Sequence, residues 1–215
     1  MATPMKIDFV SDVSCPWCVI GLRALEDALA RIGPELVVEF EFQPFELNPH
    51  MAPEGQDLDE HIMQKYGMAA AATARSRAAI RARGAELGFE FRMDKRDRIY
   101  NTFDAHRLLA WSAHEGRQRE LKHALFDAYF TRGENPGDHQ VLTAAATAVG
   151  LDPERAAALL AGDDYAAAVR EREQFYQRQG IQAVPSIIVN ERHLLQGGQP
   201  TAVFEQALRE IAAGR

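Results

Sequence analysis

The stretch Lys6-Ile7-Asp8-Phe9-Val10-Ser11-Asp12-Val13-Ser14-Cys15-Pro16-Trp17-Cys18 decides the reading of the chain. Lys6 to Val10 is a short β-prone run, and Ser11 to Ser14 suits a turn from strand into helix. Beyond it, Leu22, Leu25, Leu29 and Ile32 recur at steps of three, four and three, which puts them on one helical face, and Gly33-Pro34 stops the helix. Leu36 to Phe42 alternates Val38, Phe40 and Phe42 with Glu39 and Glu41, the period-two pattern of a strand with one buried face. The order is β-α-β, with Cys15-Pro16-Trp17-Cys18 at the strand-to-helix junction.

That junction suits a reactive thiol. Helix N-terminal amides and the positive end of the helix dipole favour a thiolate there, and Pro16 removes an amide that has no intrahelical partner. The C-x-x-C spacing lets the second sulfur reach back to the first, so Cys15 is the candidate nucleophile and Cys18 the resolving thiol. Two other readings stand beside it, half of a zinc or iron–sulfur site and a pair of buried structural thiols. A metal site needs further ligands. The chain has only these two cysteines, and its seven histidines (His50, His61, His106, His114, His123, His139 and His193) show no H-x3–5-H pairing, so no metal and no other cofactor is expected. A Cys15–Cys18 bond closes a very small loop and stabilises little, which fits a bond that is made and broken.

From about Asp57 to Tyr176 strand signals nearly vanish, and Ala, Leu, Arg and Glu dominate, cut into ordinary helix lengths by Gly and Pro. The β pattern then returns. Ile187-Ile188-Val189, a turn at Asn190-Glu191-Arg192 and a strand near His193 to Leu195 precede a helix that begins at Gln199-Pro200 and carries Phe204, Ala207, Leu208 and Ile211 on one face. Neither β-containing segment completes a sheet alone. The expected fold class is therefore α/β, one core formed by residues 1–50 and 177–215 around a large all-helical insertion, residues 51–176.

With 215 residues, 47% apolar and 26% charged, the chain has the composition of a globular protein that needs no staples. A net charge of −7 argues against nucleic acid as a partner. Between Arg75 and Arg98, eight basic residues face four acidic ones; this reads as a solvated helix face, with the docking of an anionic substrate or acidic peptide as the alternative. Met1 to Val13 lacks the apolar run of a secretory signal, and no stretch of 18 apolar residues occurs, so a cytoplasmic protein with no membrane partner is expected.

Val184-Pro185-Ser186, immediately before the strand at Ile187, adds a second feature to the C-x-x-C. Together with Ser11 to Cys18, Ile20-Gly21, Phe45-Glu46-Leu47-Asn48-Pro49, Asn101 to Leu108 and Gly197-Gly198-Gln199-Pro200, it makes nearly the whole chain resemble the FrnE-like branch of the DsbA family. The resemblance implies a thioredoxin fold interrupted by a helical domain, a redox dithiol at Cys15 and Cys18, and a cis-proline at Pro185 packed beside them. It also implies that the Val184 backbone pairs with an extended substrate, strand addition in physical terms. Pro16, Trp17, Asn48, Asn101 and His106 are the further candidate substrate contacts; for Asn48 a turn, and for His106 a hydrogen-bonded structural role, is the competing reading. The segment Asn101 to Leu108 is expected to form part of a lid.

Two departures matter. Periplasmic DsbA proteins carry His where Trp17 stands, so one source of thiolate stabilisation is missing. Thioredoxins and DsbA proteins often place a buried carboxylate six residues before the first cysteine, where this chain has Phe9, so the proton shuttle for Cys18 is unassigned; Asp12, the nearest acid, reads as a turn or cap residue. The implied activity is disulfide exchange as reductase or isomerase on protein or small-molecule disulfides. The alternative is a glutathione-dependent isomerase or transferase, as in the similar hydroxychromene-carboxylate isomerases and kappa-class glutathione transferases, which usually have Ser where Cys15 stands.

Overall fold

A computed structural model describes residues 2–214. Strand β1 (Thr3–Ser11), helix α1 (Pro16–Ile32) and strand β2 (Leu36–Pro44) form the first unit, and Gly33, at φ 65, closes α1. Seven helices follow: α2 (Leu58–Tyr66), α3 (Ala70–Glu86), α4 (Phe103–His114), α5 (Gln118–Phe126), α6 (His139–Ala148), α7 (Pro153–Ala161) and α8 (Ala166–Arg178). The chain then returns through β5 (Ser186–Val189) and β6 (His193–Gln196) to α9 (Thr201–Ala212). A two-residue ladder, β3 (Gln56–Asp57) with β4 (Arg98–Ile99), lies within the helical segment. It is too short to leave a periodic signal, which is why the sequence reads as purely helical there. Pro200 stands at the N-cap of α9 rather than inside its first turn.

The main sheet has the order β2-β1-β5-β6, with β1 parallel to β2 and antiparallel to β5. β1 is central and its middle is covered on both faces, so its burial does not alternate. Ile7 and Phe9 belong to the core that holds α1 and α9, while Val10 packs with Phe45, Tyr176 and Ile181. Asp8, on the same buried strand, accepts from Gln43 Nε2 at 2.7 Å. The helical segment shares this core, because Phe89, Phe91, Phe126, Tyr129 and Phe130 pack in the cluster that contains Phe9 and Leu25. β2 is an edge strand, and Gln118 at the start of α5 exchanges two hydrogen bonds with the Phe42 backbone, at 2.9 and 3.1 Å. That side chain supplies what a neighbouring strand would, and it seats α5 against the sheet.

Two features hold the loop between β1 and α1. Asp12 is buried; its Oδ1 accepts from the Ser14 amide at 3.1 Å and its Oδ2 from the Leu47 amide at 2.7 Å. His106 Nε2 lies 3.7 Å from Asp12 Oδ1, longer than a hydrogen bond. Burial works against the Asp12 carboxylate, but His106 and the two amides outweigh it and hold its pKa below the usual value. The second feature is close packing. A Cβ at Gly21 would lie 2.9 Å from Pro185 Cγ, so α1 and the Val184–Pro185 loop meet only because residue 21 has no side chain.

Each feature yields a prediction. Gly21→Val is expected to cost about 1–3 kcal/mol through overpacking, read as a lowered urea midpoint. Asp12→Ala strands two amides and is expected to cost about 2–3 kcal/mol at neutral pH. Because Asp12's folded pKa is depressed, its contribution is complete above the unfolded carboxyl value and is lost as pH falls through the folded value. The gap between wild type and Asp12→Ala in urea melts should therefore narrow below about pH 4.

Candidate active site

Cys15 is the N-cap of α1, with extended backbone at φ −93 and ψ 113, and Pro16 opens the first turn. The Cys15 amide donates to the Asp12 carbonyl at 3.3 Å, and the Cys18 amide to the Cys15 carbonyl at 3.1 Å. Both thiols are free. Cys15 keeps 5% of its surface and Cys18 none, while Trp17 between them is 39% exposed. Cys15 Sγ donates to the Val184 carbonyl at 3.7 Å. The Val184–Pro185 peptide is cis, and the Gly197 amide donates to the Pro185 carbonyl at 2.8 Å. Gly198 packs on the far side of Trp17, where an added Cβ would lie 3.1 Å from the indole.

The two sulfurs differ in surroundings. Burial, and then the hydrogen bond and charge of Cys15, push the Cys18 thiol well above the ordinary cysteine value, and Lys122 pulls it the other way. Cys15 instead opens onto a groove of about 570 Å³. Its floor carries Cys15, Pro16, Trp17 and the Val184 segment, and its far wall comes from α2 and α3. The groove is mostly apolar, with Phe45, Ile62, Ile80 and Met93, but it collects cations. Lys65 Nζ donates to the Leu47 carbonyl at 2.6 Å and to Asn48 Oδ1 at 2.8 Å. Arg96, nearly buried, stacks 4.7 Å from the Tyr129 ring and reaches the Ser14 carbonyl at 3.4 Å. Burial, Lys65 and Arg96 lower the pKa of His61 and favour its neutral imidazole.

Of the residues singled out from sequence, Cys15, Pro16, Trp17, Asn48 and Val184 line this groove together. Cys18 lies under Cys15, and Pro185 wedges against Gly21. Neither Asn101 nor His106 lines the groove, although Asn101 Nδ2 donates to the Pro49 carbonyl, beside Asn48, at 3.4 Å. Asn101 Oδ1 accepts from the Phe103 amide at 2.9 Å as α4 begins. His106 is buried against Asp12 and lines a separate cavity. Arg77 and Arg96, both from the basic stretch read as a solvated face, reach the groove, as do His61 and Lys65. Lys122 went unremarked in the sequence although the signal exists: Gln118, Leu121, Lys122, Leu125 and Phe126 form the buried stripe of α5, which places a lysine inside. Among the described residues no group of three or more His, Cys, Asp or Glu side chains is arranged to hold a metal ion, and no helix is long and apolar enough to cross a membrane.

The chemistry open to this arrangement is thiolate attack at a helix N-terminus, followed by a second sulfur one turn inside. Known proteins resemble the chain in sequence and fold. Residues 6–209 match the DSBA-like thioredoxin domain. A probable DsbA oxidoreductase from Streptomyces coelicolor has 33% identity and a TM-score of 0.91, covering 98% of this chain and 91% of that one. The uncharacterised protein YwbO of Bacillus subtilis is 27% identical over 207 residues, 96% of each chain. In fold alone, the cytosolic disulfide reductase DsbM of Pseudomonas aeruginosa, solved with GSH, is also similar, with a TM-score of 0.64, 18% identity and coverage of 95% and 99%. The match over residues 6–209 and the likeness in sequence and fold to a probable DsbA oxidoreductase agree, and the chain belongs to the DsbA-like thioredoxin family.

Proposed function

We propose that this chain is a thiol–disulfide oxidoreductase, with Cys15 attacking the substrate disulfide and Cys18 resolving the mixed disulfide. The inequality of the two sulfurs carries this reading: Cys15 meets the groove beside the Val184 carbonyl, whereas Cys18 is buried with its proton held tightly. Val184 offers backbone to an extended disulfide-bearing peptide, with Pro16, Trp17 and Asn48 as neighbouring contacts. In a cytosolic setting the ambient thiol pool opposes net oxidation, so the pair works there as reductase or isomerase.

A second reading, glutathione-dependent isomerisation or transfer on a small molecule, draws on the cations of the groove. Lys65, Arg77 and Arg96 surround a space of about 570 Å³, a size that suits a small anionic thiol. The cysteines separate the two readings. With insulin or a small aromatic disulfide and a thiol donor, Cys15→Ser should abolish turnover and fast alkylation. Cys18→Ser should keep an alkylatable Cys15, accumulate mixed disulfide and lose at least about tenfold in dithiol exchange. Full turnover by Cys18→Ser in a glutathione-dependent reaction would instead select the second reading.

A further inference from the structure

Lys122 is fully buried, and its Nζ has no hydrogen-bond partner among the described residues. It sits over two aromatic faces, 5.0 Å from the Phe126 ring centre and 5.8 Å from that of Phe42. A buried ammonium without a partner is expensive, and aromatic faces offset only a part of that cost. The charged and ionisable groups it feels are Cys18, Asp12 and Cys15. Phe9, six residues before Cys15, is fully buried, so β1 places no carboxylate at that position.

Lys122 also lines a cavity of about 270 Å³ that shares no lining residue with the substrate groove. A volume of that size holds several waters, each displacing about 30 Å³. Its ionisable lining comprises Glu41 from β2, His106 and His114 from α4, Tyr165, and Arg172 from α8. His114 and Ala168 are exposed, so the cavity reaches the surface. Cys15 thus meets the substrate groove, while Lys122, which packs on Phe42 and Phe126 of the buried cluster that holds the dithiol and whose charge acts on Cys18, lines a separate polar cavity.

From this geometry we infer that Lys122 is the proton-transfer group for Cys18, acting through water and exchanging its proton with solvent by way of the His106-lined cavity. The inference rests on the oxidoreductase reading above. Cys15 thiolate attacks R–S–S–R′, forming Cys15–S–S–R and releasing R′–S⁻. The Cys18 S–H proton passes to the neutral amine of Lys122, giving Cys18–S⁻ and an ammonium. Cys18–S⁻ then attacks Cys15 Sγ, forming the Cys15–Cys18 disulfide and releasing R–S⁻. Two electrons have moved from the dithiol to the substrate, and the ammonium returns its proton to solvent. Nζ makes no hydrogen bond to Cys18 among the described residues, so the inferred transfer requires intervening water. Burial lowers the Lys122 pKa to about 8 against the opposing pull of Cys18, Asp12 and Cys15, which leaves roughly a tenth of the amine neutral at pH 7.

The test uses the reduced full-length protein and an aromatic disulfide that releases one coloured thiolate on attack by Cys15 and a second on resolution. In wild type the second phase should rise with pH through an inflection near 8. Lys122→Met fills the same volume without a charge and should fold at least as stably as wild type. It should keep the first phase within about twofold, slow the second by about tenfold or more at pH 7, and lose the inflection. Lys122→Gln repeats the measurement if the Met variant fails to fold. An unchanged second phase, or parallel slowing of both phases, would overturn the proposal, as would a wild-type second phase with no inflection between about pH 7 and 9, which needs no variant. Release of a single thiolate by the wild type would overturn the oxidoreductase reading itself.

Discussion

The active region depends on one steric constraint, the close approach of the Val184–Pro185 loop to the first turns of α1. Gly21 leaves room for the Pro185 ring, Gly198 leaves room for Trp17, and the Gly197 amide ties the Pro185 carbonyl. These contacts bring β5 and the N-terminus of α1 together from opposite ends of the chain. The Val184 carbonyl lies against Cys15 Sγ as a result. Were Gly21 or Gly198 to carry a bulky side chain, the dithiol would lose the backbone beside it before it lost the fold, since the sheet is formed by other contacts.

Around that point the structure divides labour between two surfaces. Toward the groove lie an apolar floor and the cations Lys65, Arg77 and Arg96, supplied by the helical segment. Behind the dithiol lie Asp12, His106 and Lys122, all buried, from β1–α1 and from α4 and α5. Asp12 spends its two oxygens on backbone amides and so acts as a structural anion that shapes the loop. The helical segment is therefore more than a cover. Its α5, seated on β2 by Gln118, carries the buried Lys122 into the interior.

Much of this was legible in the chain itself. The leucine spacing from Leu22 to Ile32 and the alternation from Val38 to Phe42 marked α1 and β2, because a helix and a half-buried strand impose periods that side-chain chemistry must follow. Asp12 as a turn residue followed from its short carboxylate beside a strand end, and the cysteine spacing announced the reactive junction. β1 was harder to read, since a strand covered on both faces has no alternation, and Asp8 is buried there with Gln43.

What sequence determined by itself was the order of elements and the place of the dithiol, since both follow from local periodicity, capping and the chemistry of two thiols three residues apart. Tertiary structure decided which distant side chains face that dithiol. Arg77 and Arg96 belonged to a basic stretch that looked like a solvated surface, yet packing turns them toward the groove. His106, for which sequence left substrate contact and a structural role both open, lies buried 3.7 Å from Asp12. Lys122 becomes notable only when α5 docks on β2, for a buried charge acquires its meaning from the groups that surround it, and these come from elements far apart in the chain.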